Sequence, residues 1–258
     1  MKKLKINSLF NFQKKVILIT GSSGQIGTSL VKLFLDFDSK VYGFDKVKGK
    51  IKHLNYKFIK IDITNKNNVK NKINYILKKE KKIDVIINNA AVSVFSKLNK
   101  RTNEELNKTI DTNIKGVLNI LNSYFDSHKK NNLDKCSIIN IGSIYGILSP
   151  DFRIYGKKDN YSSEIYGATK AAVIQLTKYY SVMFSKYKIN VNCLSPGGML
   201  NEQKPQNKKF IKKYSNRVPQ ARMGRVENLF TGILFLASDN SNYVNGQNLI
   251  IDGGLSSW

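Results

Sequence analysis

VILIT at residues 16–20, running directly into GSSGQIG at 21–27, is the stretch that decides the fold of this chain. Five apolar, mostly β-branched residues read as a strand buried on both faces, since no polar alternation marks a wet side. Gly21, Gly24 and Gly27 then punctuate a tight turn that opens a helical segment reaching about Phe37. Glycines at such a turn let the backbone approach a pyrophosphate, whose charge the unpaired N–H groups of a helix start can hold. A strand, a glycine-rich turn and a helix together predict the first unit of a dinucleotide-binding sheet.

Outward from that unit the same grammar repeats. Strand candidates follow at 41–45 (VYGFD), 58–63 (FIKIDI), 84–89 (DVIINN), 137–143 (SIINIGS), 189–195 (INVNCLS) and 248–252 (NLIID), with longer segments of helical period between them. About seven parallel strands alternating with helices predict a single α/β domain over 1–258, a doubly wound Rossmann-type sheet. Residues 1–14 read as a solvated basic leader, and 144–165 and 198–218 as substrate-loop segments.

Composition narrows the function classes. The chain has 258 residues, 41% of them hydrophobic and 24% charged, as in ordinary soluble proteins, and no apolar run is long enough to span a bilayer. A basic start without an apolar stretch or a small-residue cleavage site does not make a secretory signal, so a cytoplasmic protein without membrane attachment is expected. The formal charge of +25 is unusual, but its lysines are scattered along the whole chain and only five arginines occur. That distribution reads as a solvated surface and not as a dedicated nucleic-acid site. Cys136 and Cys193 lie in or beside buried runs and lack ligand-spaced partners, as do His53 and His128, so no metal site is expected.

Ligands of such sheets bind beyond the carboxyl ends of the strands. Gly21, Ser23, Gln25 and Ile26 follow the first strand, and Asp45 ends the second, where a carboxylate can accept the adenosine ribose hydroxyls and repel a 2′-phosphate. NAD is therefore expected, with NADP kept open by the adjacent Lys46. Asp62 and Ile63 follow the third strand, where Asp62 can receive an adenine amino group or serve as a helix N-cap. Asn89, Ala90 and Ala91 follow the fourth, and Pro196 and Gly197 close the sixth with a turn suited to lie against a nicotinamide ring.

The chemistry is expected from Tyr166 and Lys170. At i, i+4 on one helix their side chains share a face. An ammonium and an oxidised nicotinamide beside the phenol would lower its proton affinity, making it an acid/base group near neutral pH. Ser143, ending the fifth strand, can hydrogen-bond the reacting oxygen. Asn113, within the helical segment 102–127, can anchor a water that passes protons to Lys170. Taken singly, these are an amphipathic helix pair, an N-cap and a solvated helix residue; together, at the right strand ends, they form a proton-transfer set.

With these residues in place, the chain resembles the short-chain dehydrogenase/reductase family over residues 14–254. The glycine-rich turn, Asn88–Ala90, Asn113, Ser143, Tyr166/Lys170, Pro196/Gly197 and the ending Tyr243–Gln247 to Asp252–Gly254 carry the likeness. It implies reversible oxidation of an alcohol by a homodimer or homotetramer. Three departures concern the subgroup: the spacing of Gly24, Ala91 where the family usually has glycine, and Met199 or Leu200 where a threonine often stands. The long interval from Ser143 to Tyr166, with Ser195–Met199 and the ending Gly254–Trp258, is similar to bacterial members linked to flagellin modification and surface-sugar biosynthesis.

A sugar or polyol-type substrate is thus the leading expectation, with 3-oxoacyl-carrier-protein reduction as the alternative enzyme. A non-catalytic dinucleotide sensor or an RNA-binding protein is the alternative of another class, and the intact proton-transfer set argues against it. Tyr145 and Arg153, in the interval before Tyr166, are the expected substrate contacts. An arginine between aromatics in a lysine-rich chain suggests a bidentate grip on phosphate or carboxylate, and a surface ion pair with Asp151 or Asp159 is its ordinary explanation.

Overall fold

In the computed structural model, which describes residues 10–97, 100–155, 161–201 and 204–258, seven parallel strands form one sheet in the order β3-β2-β1-β4-β5-β6-β7. They are β1 (Val16–Thr20), β2 (Lys40–Asp45), β3 (Tyr56–Lys60), β4 (Val85–Asn88), β5 (Cys136–Ile141), β6 (Ile189–Pro196) and β7 (Asn248–Ile251). The helices are α1 (Gln25–Asp36), α2 (Lys66–Glu80), α3 (Asn103–Ile110), α4 (Gly116–Asn131), α5 (Glu164–Phe184), α6 (Lys208–Ser215) and α7 (Phe230–Ala237). The order turns back at β1, so β1 and β4 flank the point where the chain changes direction. The expected doubly wound architecture is what the chain adopts.

The apolar strands serve two cores at once. Val16 and Leu18 of β1 join the cluster formed with α2, α4 and α5, whereas Ile17 and Ile19 join the one formed with α1 and α7. Alternation of side chains across a strand gives this division, and burial on both faces removes the polar alternation from the sequence. Phe12 also enters the second core, 1% exposed and edge-on to Phe34 and Phe37. The expectation of a solvated leader through residue 14 is therefore corrected. An aromatic ring this close to β1 covers the start of the sheet; residues 1–9 lie outside the described set.

Local chemistry fixes the helix starts. Asn65 accepts from the Asn68 amide at the start of α2. Thr102 and Glu105 form a reciprocal capping box on α3, and Ser163 accepts from the Tyr166 amide at the start of α5. Each such cap contributes about 1 kcal/mol. Asp62 is not a helix cap: its Oδ1 accepts from Thr64 N and Thr64 Oγ1, and the helix begins three residues later at the Asn65 cap. Between α3 and α4 the helix widens into a π turn over Asp111–Lys115. None of the helices of the described residues is long and apolar enough to cross a membrane.

Candidate active site

The turn after β1 is built by close approach. Gly21 has φ +65°, and a Cβ there would lie 2.7 Å from Ala90 Cα. At Gly27 a Cβ would lie 2.0 Å from the Gly21 carbonyl oxygen, so a side chain at either place would push α1 off the sheet. Thr20 Oγ1 accepts from the amides of Asn89 and Ala90, and Asn89 Nδ2 donates to the carbonyls of Thr20 and Gly21. These bonds join the turn to the end of β4. Gly24 caps α1 without any side-chain hydrogen bond, which leaves the first amides of that helix free to meet an anion.

A cavity of about 690 Å³ runs from this turn along the strand ends. Gly21, Gln25, Ile26, Asp45, Asp62 and Ile63 line one stretch of it. Asn89, Ala90, Ala91, Pro196 and Gly197 line another, and Ser143, Tyr166 and Lys170 a third. Ser23 is not on that wall: its amide donates to Asp45 Oδ2 and its hydroxyl to the Val47 carbonyl, so it clamps the turn to β2 from behind. Lys46 meets Asp62 Oδ2 at 2.6 Å. Burial works against the Asp62 charge, but hydrogen bonds from Lys46 and Thr64 outweigh it and hold the carboxyl below its ordinary value. The walls fit a dinucleotide: bare helix amides where a pyrophosphate would sit, and glycine positions that a Cβ would fill. Lys108 and Thr112, which also line the cavity, were not anticipated; they stand one turn apart on the helix leading to Asn113.

A second cavity of about 620 Å³ opens beside the first and shares Gln25, Ser143, Tyr166, Gly197 and Met199 with it. Tyr145, Tyr155 and Ser162 come to it from the 144–165 segment, and Gln206, Phe210 and Tyr214 from the 198–218 segment and α6. Tyr145 and Tyr155 touch hydroxyl to hydroxyl at 3.3 Å, and burial pushes the Tyr145 phenol far above its ordinary value. The Gly198 amide donates to Tyr214 Oη at 2.5 Å, which ties α6 to the end of β6. Met199 walls both cavities, whereas the Leu200 carbonyl accepts from Gln25 Nε2.

Arg153 is not part of this wall. Its guanidinium is 78% exposed and binds both carboxylate oxygens of Asp151, while Arg217 meets the same carboxylate at 2.9 Å. The expected grip on an anionic substrate is corrected to a surface ion pair: Asp151, two residues before it, satisfies the guanidinium fork.

Around the reacting position, Ser143 Oγ accepts from the Tyr145 amide and hydrogen-bonds the Tyr166 hydroxyl. Lys170 is 3% exposed, and its Nζ donates to the Ile141 carbonyl at 2.7 Å. Burial pushes the ammonium down to about 8 and the Tyr166 phenol up, with the Ser143 hydrogen bond pulling the phenol partly back. The lowered phenol expected from the sequence is thus not a property of the protein alone, because burial exceeds what its neighbours return. Asn113 is buried in the π turn. Both its amide hydrogens are used, on Val92 O and Thr169 Oγ1, and its Oδ1 accepts from Val92 N at 2.8 Å. The side chain therefore braces α5 and the segment after β4. Thr169 Oγ1 in turn donates to the Tyr166 carbonyl.

A sequence profile described as Enoyl-(Acyl carrier protein) reductase matches residues 33–256. A short-chain dehydrogenase from Leptospira borgpetersenii, solved with bound NAD+, superposes with a TM-score of 0.89 and 38% identity, covering 95% of this chain and 94% of that one. The chain is a short-chain dehydrogenase/reductase. A 3-oxoacyl-acyl-carrier-protein reductase of Thermotoga maritima is 32% identical, with 93% of this chain and 97% of the relative covered. An NAD-dependent glycerol dehydrogenase of Listeria innocua is 28% identical, covering 95% of each. As a member of the family, this short-chain dehydrogenase/reductase is an oxidoreductase that acts on CH–OH groups with NAD(P).

Proposed function

We propose that this enzyme is an NAD-linked dehydrogenase or reductase of a sugar or polyol-type substrate. The observation that carries the reading is that Tyr166 and Ser143 stand on the shared wall of the two cavities, where the smaller can present a carbonyl carbon to a ring held in the longer. A nicotinamide bound along the longer cavity would supply or accept the hydride. Tyr166 gives the substrate oxygen its proton during reduction and takes it back during oxidation, while Ser143 Oγ hydrogen-bonds the same oxygen as charge develops. Lys170, fixed by Ile141, holds a positive charge behind the phenol and favours its ionised form as the proton leaves. Asp45, its oxygens already accepting from the amides of Ser23 and Val47, faces the ribose region and favours NAD over NADP.

The likeness to the glycerol dehydrogenase supports a polyol. The likeness to the 3-oxoacyl-acyl-carrier-protein reductase favours a second reading, reduction of a 3-oxoacyl thioester by the same residues. A place in surface-glycan metabolism rests on the sequence likeness of the interval from Ser143 to Tyr166, of Ser195–Met199 and of the ending Gly254–Trp258. We assign the protein to the cytoplasm on the reading of its N-terminal sequence, and to a homodimer or homotetramer on the family resemblance. The test is reduction of NAD+ with neutral polyols and aldoses, run beside oxidation of NADH with a 3-oxoacyl thioester. Turnover of the thioester with none of the polyols or aldoses overturns the leading reading.

A further inference from the structure

We propose that Ser93 is a specificity-determining residue, whose hydroxyl binds a second oxygen of an uncharged substrate while Ser143 and Tyr166 hold the reacting one. The inference rests on the reading of the second cavity as the substrate site. Ser93 lines that cavity, and among the described residues its Oγ is buried without a hydrogen-bond partner. A hydroxyl in that position destabilises the fold unless something binds it, and most buried hydroxyls are satisfied. A serine hydroxyl turns between staggered rotamers about χ1 without moving the backbone.

The surroundings define what that ligand is. Among the described residues no charged side chain lines the cavity, although the chain carries 61 Lys, Arg, Asp and Glu residues. Its walls are instead aromatic rings, Phe95, Tyr145, Tyr155, Phe210 and Tyr214 among them, interleaved with neutral amides and hydroxyls. Among the described residues a phosphate or carboxylate buried there would find no compensating cation, whereas hydroxyls can pair with neutral groups while C–H faces lie on the rings. The chemistry matches a neutral compound that carries at least one hydroxyl besides the carbon that reacts.

The position of Ser93 is also set in advance. Four residues back, Asn89 is tied to the glycine-rich turn, and Val92, its immediate neighbour, is held at both backbone groups by Asn113. Beyond Phe95, the Ser96 carbonyl accepts from Arg101, and Arg101, whose side chain is 4% exposed, pairs with Glu164 in the first turn of α5. The segment bearing Ser93 is thereby fastened to the helix that carries Tyr166, so the two hydroxyls keep a fixed separation. Such preorganisation lets a hydroxyl discriminate between substrates, because a ligand lacking its partner leaves it unpaired.

The experiment compares wild type and Ser93→Ala on glycerol and D-glucose, on their mono-deoxy analogues, and on glycerol 3-phosphate and D-glucose 6-phosphate, with NADH binding followed by fluorescence. The proposal expects wild type to prefer the neutral compounds. It expects Ser93→Ala to raise KM about tenfold for the full polyol or sugar, to leave KM nearly unchanged for the deoxy analogue lacking the bound oxygen, and to leave NADH affinity intact. An equal loss on every substrate, or no loss on any, overturns the role of Ser93 while the oxidoreductase reading stands. Preference for the phosphates overturns the uncharged cavity. Failure of wild type to turn over any of these compounds, with turnover of a 3-oxoacyl thioester, overturns the substrate reading itself and the proposal with it.

Discussion

Lys46 and Asp62, at the ends of neighbouring strands β2 and β3, are joined Nζ to Oδ2 at 2.6 Å on the wall of the longer cavity. The lysine next to Asp45 is the one cation adjacent in sequence that could welcome a 2′-phosphate, and Asp62 occupies it. The wild type is expected to bind NADH more tightly than NADPH. Asp45→Ala should narrow that gap by about tenfold, and Asp62→Asn should narrow it by releasing Lys46. Fluorescence titration of both cofactors measures the ratio, and a wild type that prefers NADPH contradicts the assignment.

Tyr166→Phe removes the transferable proton and leaves the ring. Turnover should fall by about 10²- to 10⁴-fold while NADH affinity stays near that of wild type. Lys170→Ala should lower both, because the ammonium also lines the dinucleotide cavity. Steady-state kinetics with fluorescence titration separates the two variants, and near-normal turnover by Tyr166→Phe would contradict the acid/base assignment.

Burial lowers Lys170 from 10.5 to about 8, with the thiol of Cys193 opposing that shift only in part. Between those two values the unfolded chain holds more protons than the folded one, so the contribution of this group to stability rises with pH across that window. Chemical denaturation of wild type and Lys170→Met at several pH values should show wild type gaining on the variant from pH 8 toward 10.5. A difference independent of pH would mean that the buried amine keeps its ordinary proton affinity.

Arg153→Ala should leave KM for the true substrate, cofactor affinity and melting temperature close to those of wild type. The guanidinium is exposed and Asp151 keeps Arg217 as a partner. A large rise in KM would return Arg153 to the substrate site.

How much of this could be read from the chain depended on whether the signal was local. Tyr166 and Lys170 lie one helical turn apart, and Ser143 and Gly21 follow apolar runs, so strand ends and helix spacing located them. The bounds of β1 were legible for the same reason. Arg153 carried two readings, a substrate grip suggested by composition and an ion pair with Asp151 two residues away, and the second is the one the chain adopts. Phe12 looked like part of a basic leader because only the tertiary arrangement shows that the start of the sheet has to be covered. Ser93 carried no mark at all: an unpaired hydroxyl is a property of surroundings assembled from β4, α5 and α6.

The π turn at Asp111–Lys115 has a consequence for chain length. An i→i+5 turn holds one residue more than the regular helix it interrupts, so it behaves as a single inserted residue. Deleting Thr112 would let α3 and α4 close into one unbroken helix, with the ordinary hydrogen-bond ladder regained. The shortened chain should fold with its helix content intact, yet the amide that now brackets Val92 and reaches Thr169 would no longer meet them. One surplus amino acid, costly to the helix that houses it, is therefore what links the loop after β4 to the backbone beneath Tyr166.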